Sequence, residues 1–244
     1  HRPETQTDKL AILCAGYLDS KDYHHLVELG ITLATQGYMV VRFDAMGVWE
    51  SEGAIADYTI SQYLQDIQSV LGYMLREKDY HYILLGGHSR GGMLALLYAV
   101  RDSRISEVLA IMPSAPRLSS GRRALWEQNG VEVSLRDMPG ATGTREFVVP
   151  FSHVVDREQY NVLEDVKKIH IPLILVAGQL DTIVPPEDVK HIFDAANEPK
   201  QFILMPGIGG CHIHFQDIDP ILIPEGISFV RHLLDIELII PDHP

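Results

Sequence analysis

Nowhere in the 244 residues is there a run near the ~18 uninterrupted apolar residues that a membrane-crossing helix needs, so no membrane span is expected. Cysteine is scarce as well: Cys14 and Cys211 alone cannot build a disulfide framework, and both read as packing residues. Basic residues are outnumbered 20 to 33, a net charge of −13, and no basic stripe with interleaved aromatics offsets it. That balance argues against nucleic acid and anionic membrane surfaces as partners and leaves a small-molecule substrate. Neither a dinucleotide-binding glycine fingerprint nor a P-loop occurs, so no cofactor is implied. Internal repeats, heptad seams and low-complexity tracts are absent too. The sequence does not open with Met and shows no secretory leader, so a cytoplasmic location is the expectation, and it says nothing of oligomeric state.

What is present is 46% hydrophobic residues, enough for one α/β domain built on a sheet covered on both faces. Short apolar runs predict strands at Leu10 to Cys14, Tyr38 to Phe43, Tyr82 to Gly86, Glu107 to Met112, Leu173 to Ala177 and Gln201 to Met205. Helical periodicity falls between them. Leu26, Val27, Gly30, Leu33 and Ala34 share a face and stop at Gly37; Thr59 with Gln62 forms a capping box ahead of Ile60, Tyr63, Leu64, Ile67 and Leu71; Pro185-Pro186-Glu187-Asp188 opens another helix. Alternation of this kind predicts a mostly parallel sheet with right-handed crossovers, whose ligands bind beyond the strands' carboxyl ends. His24-His25 begins a helix and reads as surface polar.

Gly87-His88-Ser89-Arg90-Gly91 lies between a predicted strand and a predicted helix. A G-x-S-x-G in that setting suits a nucleophile elbow, a sharp turn that lifts a serine hydroxyl out of the sheet while flanking glycines keep Cβ atoms away. A serine nucleophile needs a histidine to take its proton and a carboxylate to orient that histidine. Asp181 follows the predicted strand at Leu173 to Ala177. His212 and His214 stand in the glycine-rich stretch after the predicted strand at Gln201 to Met205. His212, nearer the Gly209-Gly210 pair, is the expected base, and His214 is the alternative. The His212-Ile213-His214 pair could also hold a metal, but no third and fourth ligands stand at suitable spacing, so no metal is expected.

These segments together resemble the α/β-hydrolases of the serine esterase, lipase and thioesterase kind. Leu10 to Tyr17 is similar to that family's first strand and oxyanion turn, and Gly37 to Gly53 resembles its following strand and glycine-containing loop. The resemblance implies an α/β-hydrolase fold, a triad of Ser89, Asp181 and His212, and an oxyanion hole formed by the backbone N–H groups of Tyr17 and Arg90. Two departures stand out. Ala15 replaces a histidine that braces the oxyanion loop, and Trp49 replaces a loop glycine, which puts a large aromatic near the mouth of the site. Between residues 116 and 170 the alternation breaks, and this stretch is expected to form a small cap within the single domain spanning residues 1–244. Its apolar islands, Trp126 and Phe147 to Phe151, join Trp49 as expected pocket residues and favour an acyl or aromatic ester over a highly charged one. The expected activity is that of a carboxylesterase-like serine hydrolase working through an acyl-enzyme. A thioesterase, a C–C hydrolase, a peptidase, or a non-catalytic scaffold of the same fold are the alternatives.

Overall fold

A computed structural model describes residues 1–4, 6–114 and 118–209. Six parallel strands form the central sheet: β1 (Lys9–Cys14), β2 (Met39–Phe43), β3 (Tyr82–His88), β4 (Glu107–Ile111), β7 (Leu173–Gly178) and β8 (Lys200–Met205). Their order is β2-β1-β3-β4-β7-β8, so the chain reverses its direction of travel across the sheet between β1 and β3. All six begin and end within two residues of the expected positions. The reason is the unbroken apolar character of each: β4 and β7 are buried along their whole length, as strands covered on both faces must be.

The helices between them start and stop where local chemistry dictates. Helix α1 (His24–Thr35) ends in a Schellman arrangement, with Gly37 N–H donating to Ala34 at 3.0 Å and Tyr38 N–H donating to Leu33 at 3.0 Å. Gly37 takes φ +88°, which a residue with a Cβ adopts only under strain. Helix α2 (Ile60–Glu77) is capped by the Thr59 hydroxyl, which accepts from Gln62 N–H at 3.1 Å. The reciprocal half of the expected capping box does not form, because the Gln62 amide turns instead to Asp66, one helical turn on, at 2.9 Å. Ile60, Tyr63, Leu64, Ile67 and Leu71 all face the core, as their spacing demands. Helix α3 (Arg90–Ala99) is buried through Tyr98 and packs against β3 and β4. Helix α7 (Pro186–Ala195) carries a proline and two acids in its first turn.

Residues 118–170 depart from the strand–helix alternation. Helix α4 (Ser120–Asn129), an antiparallel hairpin of β5 (Val131–Asp137) and β6 (Thr144–Pro150), and the short helices α5 (Ser152–Arg157) and α6 (Val162–Asp165) make up this stretch. The hairpin is separate from the main sheet. It is tied to the loops that follow β1 and β2: Tyr23 donates its hydroxyl to Asp137 O at 2.9 Å, Arg145 donates to Trp49 O at 2.8 Å, and the Phe147 ring meets that of Trp49 at 5.5 Å. Trp126 fixes α4 to the hairpin by donating to Val149 O at 3.0 Å.

The two faces of α2 should respond oppositely to truncation. Leu71→Ala, at a fully buried position, is expected to cost about 2–5 kcal/mol in urea unfolding. Tyr73→Ala, two residues away on the exposed face, should change stability by no more than about 0.5 kcal/mol.

Candidate active site

Ser89 joins β3 to α3 with φ 53° and ψ −116°. This conformation costs a residue with a side chain about 1–3 kcal/mol, so surrounding structure must hold it. Ser89 N–H donates to Ile111 O at 2.9 Å, and Ser89 O accepts from Met93 N–H at 3.1 Å and Ser114 N–H at 3.0 Å. The flanking glycines are there for space. A Cβ on Gly87 would come within 2.4 Å of the Gly91 carbonyl carbon, and one on Gly91 within 2.1 Å of Cys14 O. The elbow therefore nests directly against the end of β1. The N-terminus of α3 points at the same spot and offers a partial positive charge to any developing oxyanion.

The loop after β1 carries Tyr17. Where the family resemblance expects a bracing histidine, the chain has Ala15, and two buried tyrosine hydroxyls from residues 58 and 63 brace the backbone instead. Tyr63 accepts from Ala15 N–H at 2.8 Å, and Tyr58 accepts from Leu18 N–H at 3.0 Å while donating to Gly16 O at 3.1 Å. Trp49, at the other departure, adopts φ +50°, the left-handed conformation that a glycine takes without strain. Its indole is pinned by an N–H bond to Leu18 O at 3.0 Å and edge contacts with Tyr23 and Phe147.

Asp181 lies three residues beyond β7 and is buried. Its Oδ1 accepts from the N–H groups of Ile183 at 2.8 Å and Val184 at 2.9 Å, which fixes the carboxylate at the sheet's carboxyl edge. One strand, β4, separates β3 from β7, so Ser89 and Asp181 rise from strand ends about 10 Å apart, a gap that one imidazole with a hydrogen bond on each side can span. The chain leaving β8 is drawn to the same turn: Leu180 N–H donates to Ile208 O at 2.8 Å and Gly207 N–H donates to the Gln179 side chain at 3.1 Å. His212 and His214, the expected base and its alternative, lie outside the described residues, as does Cys211.

Ser89 opens into a cavity of about 490 Å³ whose walls include Tyr17, Trp126, His153, Ile183 and Val184. Trp126 is thus at the cavity, while Trp49, Phe147 and Phe151 are not among its lining residues. Trp49 and Phe147 pack on one another under the Arg145 guanidinium, and Phe151 lies beneath that of Arg123. Four arginines, Arg90, Arg122, Arg136 and Arg157, complete much of the wall. The sequence marked only Arg90 among them, and that for its backbone N–H; their side chains were not legible, because the face that a strand or helix turns inward is set by tertiary packing. His153, from α5, was equally unmarked. Its Nε2 stands 2.8 Å from Ile55 O, and burial, reinforced by Arg90, lowers its pKa to about 4.

One further group of titratable side chains lies behind the elbow. Asp19, His25 and His88 place potential ligand atoms within 4.8 Å of one another, and a Cβ on Gly16 would strike Asp19. His25, expected on the surface, is half-buried with its ring 4.9 Å from that of His88. His88 Nδ1 lies 3.7 Å from Asp19 Oδ2, directly before Ser89 in the chain.

The parallel sheet, the crossovers and the elbow at the carboxyl end of β3 define an α/β-hydrolase fold. Solved structures agree. A ferulic acid complex of Est1E from Butyrivibrio proteoclasticus superposes with a TM-score of 0.71 at 22% identity, covering 96% of this chain and 92% of that one. A monoacylglycerol lipase of Paleococcus ferrophilus superposes with a TM-score of 0.70 at 20% identity, covering 96% and 94%. Among characterised sequences, the mouse mitochondrial palmitoyl-protein thioesterase ABHD10 is 24% identical over 234 residues, 94% of this chain and 72% of that protein. The profile of the serine aminopeptidase S33 family matches residues 5–142, and the chain belongs to that family of hydrolases. Among the described residues no helix is long and apolar enough to cross a membrane.

Two measurements probe the site's supports. Tyr58→Phe leaves Leu18 N–H and Gly16 O without their partner, and should lower stability by about 1–3 kcal/mol in urea unfolding. For His153 the unfolded chain takes up a proton near pH 6.5 and the folded one only near 4. Its contribution to stability is therefore constant above pH 6.5, and falls as pH drops from there to 4 by about 3 kcal/mol in total. His153→Gln should flatten that part of the curve, measured as urea midpoints between pH 7 and 4; an unchanged slope would assign the loss to other groups.

Proposed function

We propose that this protein is a serine hydrolase that cleaves carboxylic esters through an acyl-enzyme, with Ser89 as nucleophile, Asp181 as orienting acid and His212 as base. The observation that carries the reading is the strained Ser89 backbone, held at the floor of a cavity and at the N-terminus of α3. Strain of this sort persists only where the surroundings enforce it, and here it presents a hydroxyl that a plain strand-to-helix turn would not. In this reading residues 116–170 are the cap, a role supported by Leu118, Trp126 and His153, which line the cavity.

In this mechanism Ser89 Oγ attacks the ester carbonyl carbon while His212 Nε2 takes its proton. The carbonyl π electrons move to oxygen, and the resulting oxyanion accepts hydrogen bonds from the backbone N–H groups of Tyr17 and Arg90. The tetrahedral intermediate collapses, the C–O bond to the alcohol breaks, and the imidazolium returns the proton to the leaving alkoxide. Water then repeats the sequence on the acyl-enzyme and frees the acid. Asp181 Oδ2, on the oxygen not engaged by Ile183 and Val184, receives the Nδ1–H of the imidazole and stabilises its charged form. The tie between Leu180 and Ile208 supports His212 in this role, since it leads the chain past Asp181 four residues before that histidine. His214 is the base if His212 is not.

Thioester cleavage is the second reading, favoured by the mouse relative, which is named a palmitoyl-protein thioesterase. The same triad serves both, and a thiolate leaves without needing the full proton transfer an alkoxide requires. That relative is mitochondrial by name, so the cytoplasmic location expected from the sequence gains no support from it.

A fluorophosphonate probe combined with a panel of 4-nitrophenyl esters and acyl thioesters tests the proposal. Ser89→Ala should abolish both labelling and turnover with the fold intact, and undiminished labelling of that variant would move the nucleophile elsewhere. Asp181→Asn should lower kcat by about 10⁴-fold, and a loss under about tenfold would relocate the acid. His212→Ala should cost about 10³-fold or more while His214→Ala retains most activity; the reverse pattern exchanges their roles.

A further inference from the structure

Four of the chain's thirteen arginines line the cavity above Ser89, in a protein with a net charge of −13. The described lining contains no aspartate or glutamate. Three of the four guanidiniums converge on the ring of Tyr17: Arg90 at 4.2 Å, Arg136 at 5.6 Å and Arg122 at 6.0 Å from its centroid. One carboxylate stands close by. Glu132 pairs with Arg122 through bonds of 2.8 and 2.7 Å and accepts from the Tyr17 hydroxyl at 3.3 Å. Arg136 and Arg157 also engage neighbouring groups, so the wall offers a ligand a convergent set of N–H donors and not idle guanidiniums. Arg90 is only 5% exposed, and its Nε has no hydrogen-bond partner among the described residues.

The fold goes against its own hydrophobic pattern to make this wall. In β5 the apolar set, Val131, Val133 and Leu135, is turned to solvent at 38%, 57% and 51% exposure. Glu132 and Arg136, on the opposite pleat, face inward. A register shift of one residue would have presented the apolar set to the cavity, and the structure does the reverse. Crowding of the cations is felt by their neighbours. Burial, then Arg90 and Arg122, lowers the Arg157 pKa to about 9, and Arg90 adds to the burial that keeps His153 neutral. Partly buried guanidiniums that repel one another are stabilised by an anion able to accept from several N–H groups at once. An acyl chain cannot do that.

We propose that this cavity takes a substrate bearing an anionic oxygen group, a carboxylate or a phosphate, and that the enzyme prefers anionic esters or thioesters over neutral ones of the same size. The inference rests on Ser89 being the nucleophile, and it replaces the expectation of an uncharged acyl or aromatic ester. The arginine wall fixes the anion while leaving the scissile carbonyl over Ser89. Because the attraction is electrostatic and partly exposed, the preference should weaken as salt rises.

The test compares matched substrates on one enzyme preparation, since a ratio of kcat/KM values does not depend on how much of the protein is folded. The carboxylate arm pairs the mono-4-nitrophenyl ester of adipic acid with 4-nitrophenyl heptanoate. The phosphate arm pairs a 1-acylglycerol 3-phosphate with the corresponding 1-acylglycerol. The anionic member of at least one pair should be preferred about tenfold or more, and Arg136→Gln or Arg157→Gln should each lower that ratio about tenfold. Arg136→Lys, which keeps the charge, should retain most of it. Binding of adipate and of glycerol 3-phosphate to the whole protein is followed separately by calorimetry. Neutral esters turned over as fast as anionic ones, with Ser89 labelled and no anion bound, would overturn the inference and leave the hydrolase reading standing. No turnover and no labelling, with anion binding that Arg136→Gln and Arg157→Gln weaken, would overturn the hydrolase reading and uphold the anion site.

Discussion

The turn at Ser89 can exist only because two neighbouring residues have no side chain. Gly87 and Gly91 bring the start of α3 so close to the end of β1 that any Cβ would overlap Cys14 O or the Gly91 carbonyl. Everything at the carboxyl edge of the sheet is placed relative to that contact. It presses the elbow against the loop that carries Tyr17, and it sets Arg90 at once as the first residue of a helix and as a side chain clasped between the rings of Tyr17 and Tyr58. The cost of the disfavoured Ser89 backbone is met by three backbone hydrogen bonds and by the burial of α3, whose residues from Arg90 to Tyr98 are all buried.

The loop opposite the elbow shows how one constraint can be met by different chemistry. The backbone from Ala15 to Leu18 must be held rigid beside the reacting centre, and a buried amide left without a partner costs about 1–3 kcal/mol. The hydroxyls of Tyr58 and Tyr63 satisfy those amides from the side of α2 and the loop before it. Trp49 answers a second constraint in an unusual way. Its left-handed backbone is unfavourable for an aromatic residue, and the indole bond to Leu18 O with packing against Tyr23 and Phe147 offsets the strain. The same indole links the hairpin to the body of the protein, so the glycine expected there could not have served both purposes.

Charge is distributed against the average of the chain. A chain with a net charge of −13 walls its cavity with arginine, and the low dielectric of that wall strengthens each cation's effect on its neighbours. The neutral His153 and the lowered Arg157 pKa follow from that arrangement, since burial and adjacent guanidiniums both disfavour a further positive charge.

Sequence alone determined the six strands of the sheet, the helix boundaries at Gly37 and Thr59, and the elbow at Gly87 to Gly91, because each depends on periodicity or on a residue type that local backbone geometry demands. Asp181 was legible for a similar reason: a polar residue just past a buried parallel strand has only the carboxyl edge to occupy. The sheet order, the tyrosine brace, the inward pleat of β5 and the arginine wall were not legible. Tyr58 and Tyr63 lie forty or more positions from the amides they satisfy, and Tyr17 more than a hundred from Arg122 and Arg136. In β5 the alternation itself points the wrong way, since its apolar set, Val131, Val133 and Leu135, is the face turned outward. That choice was made by the packing of the hairpin against the loops after β1 and β2, so only the tertiary structure could decide that the cavity is lined with charge.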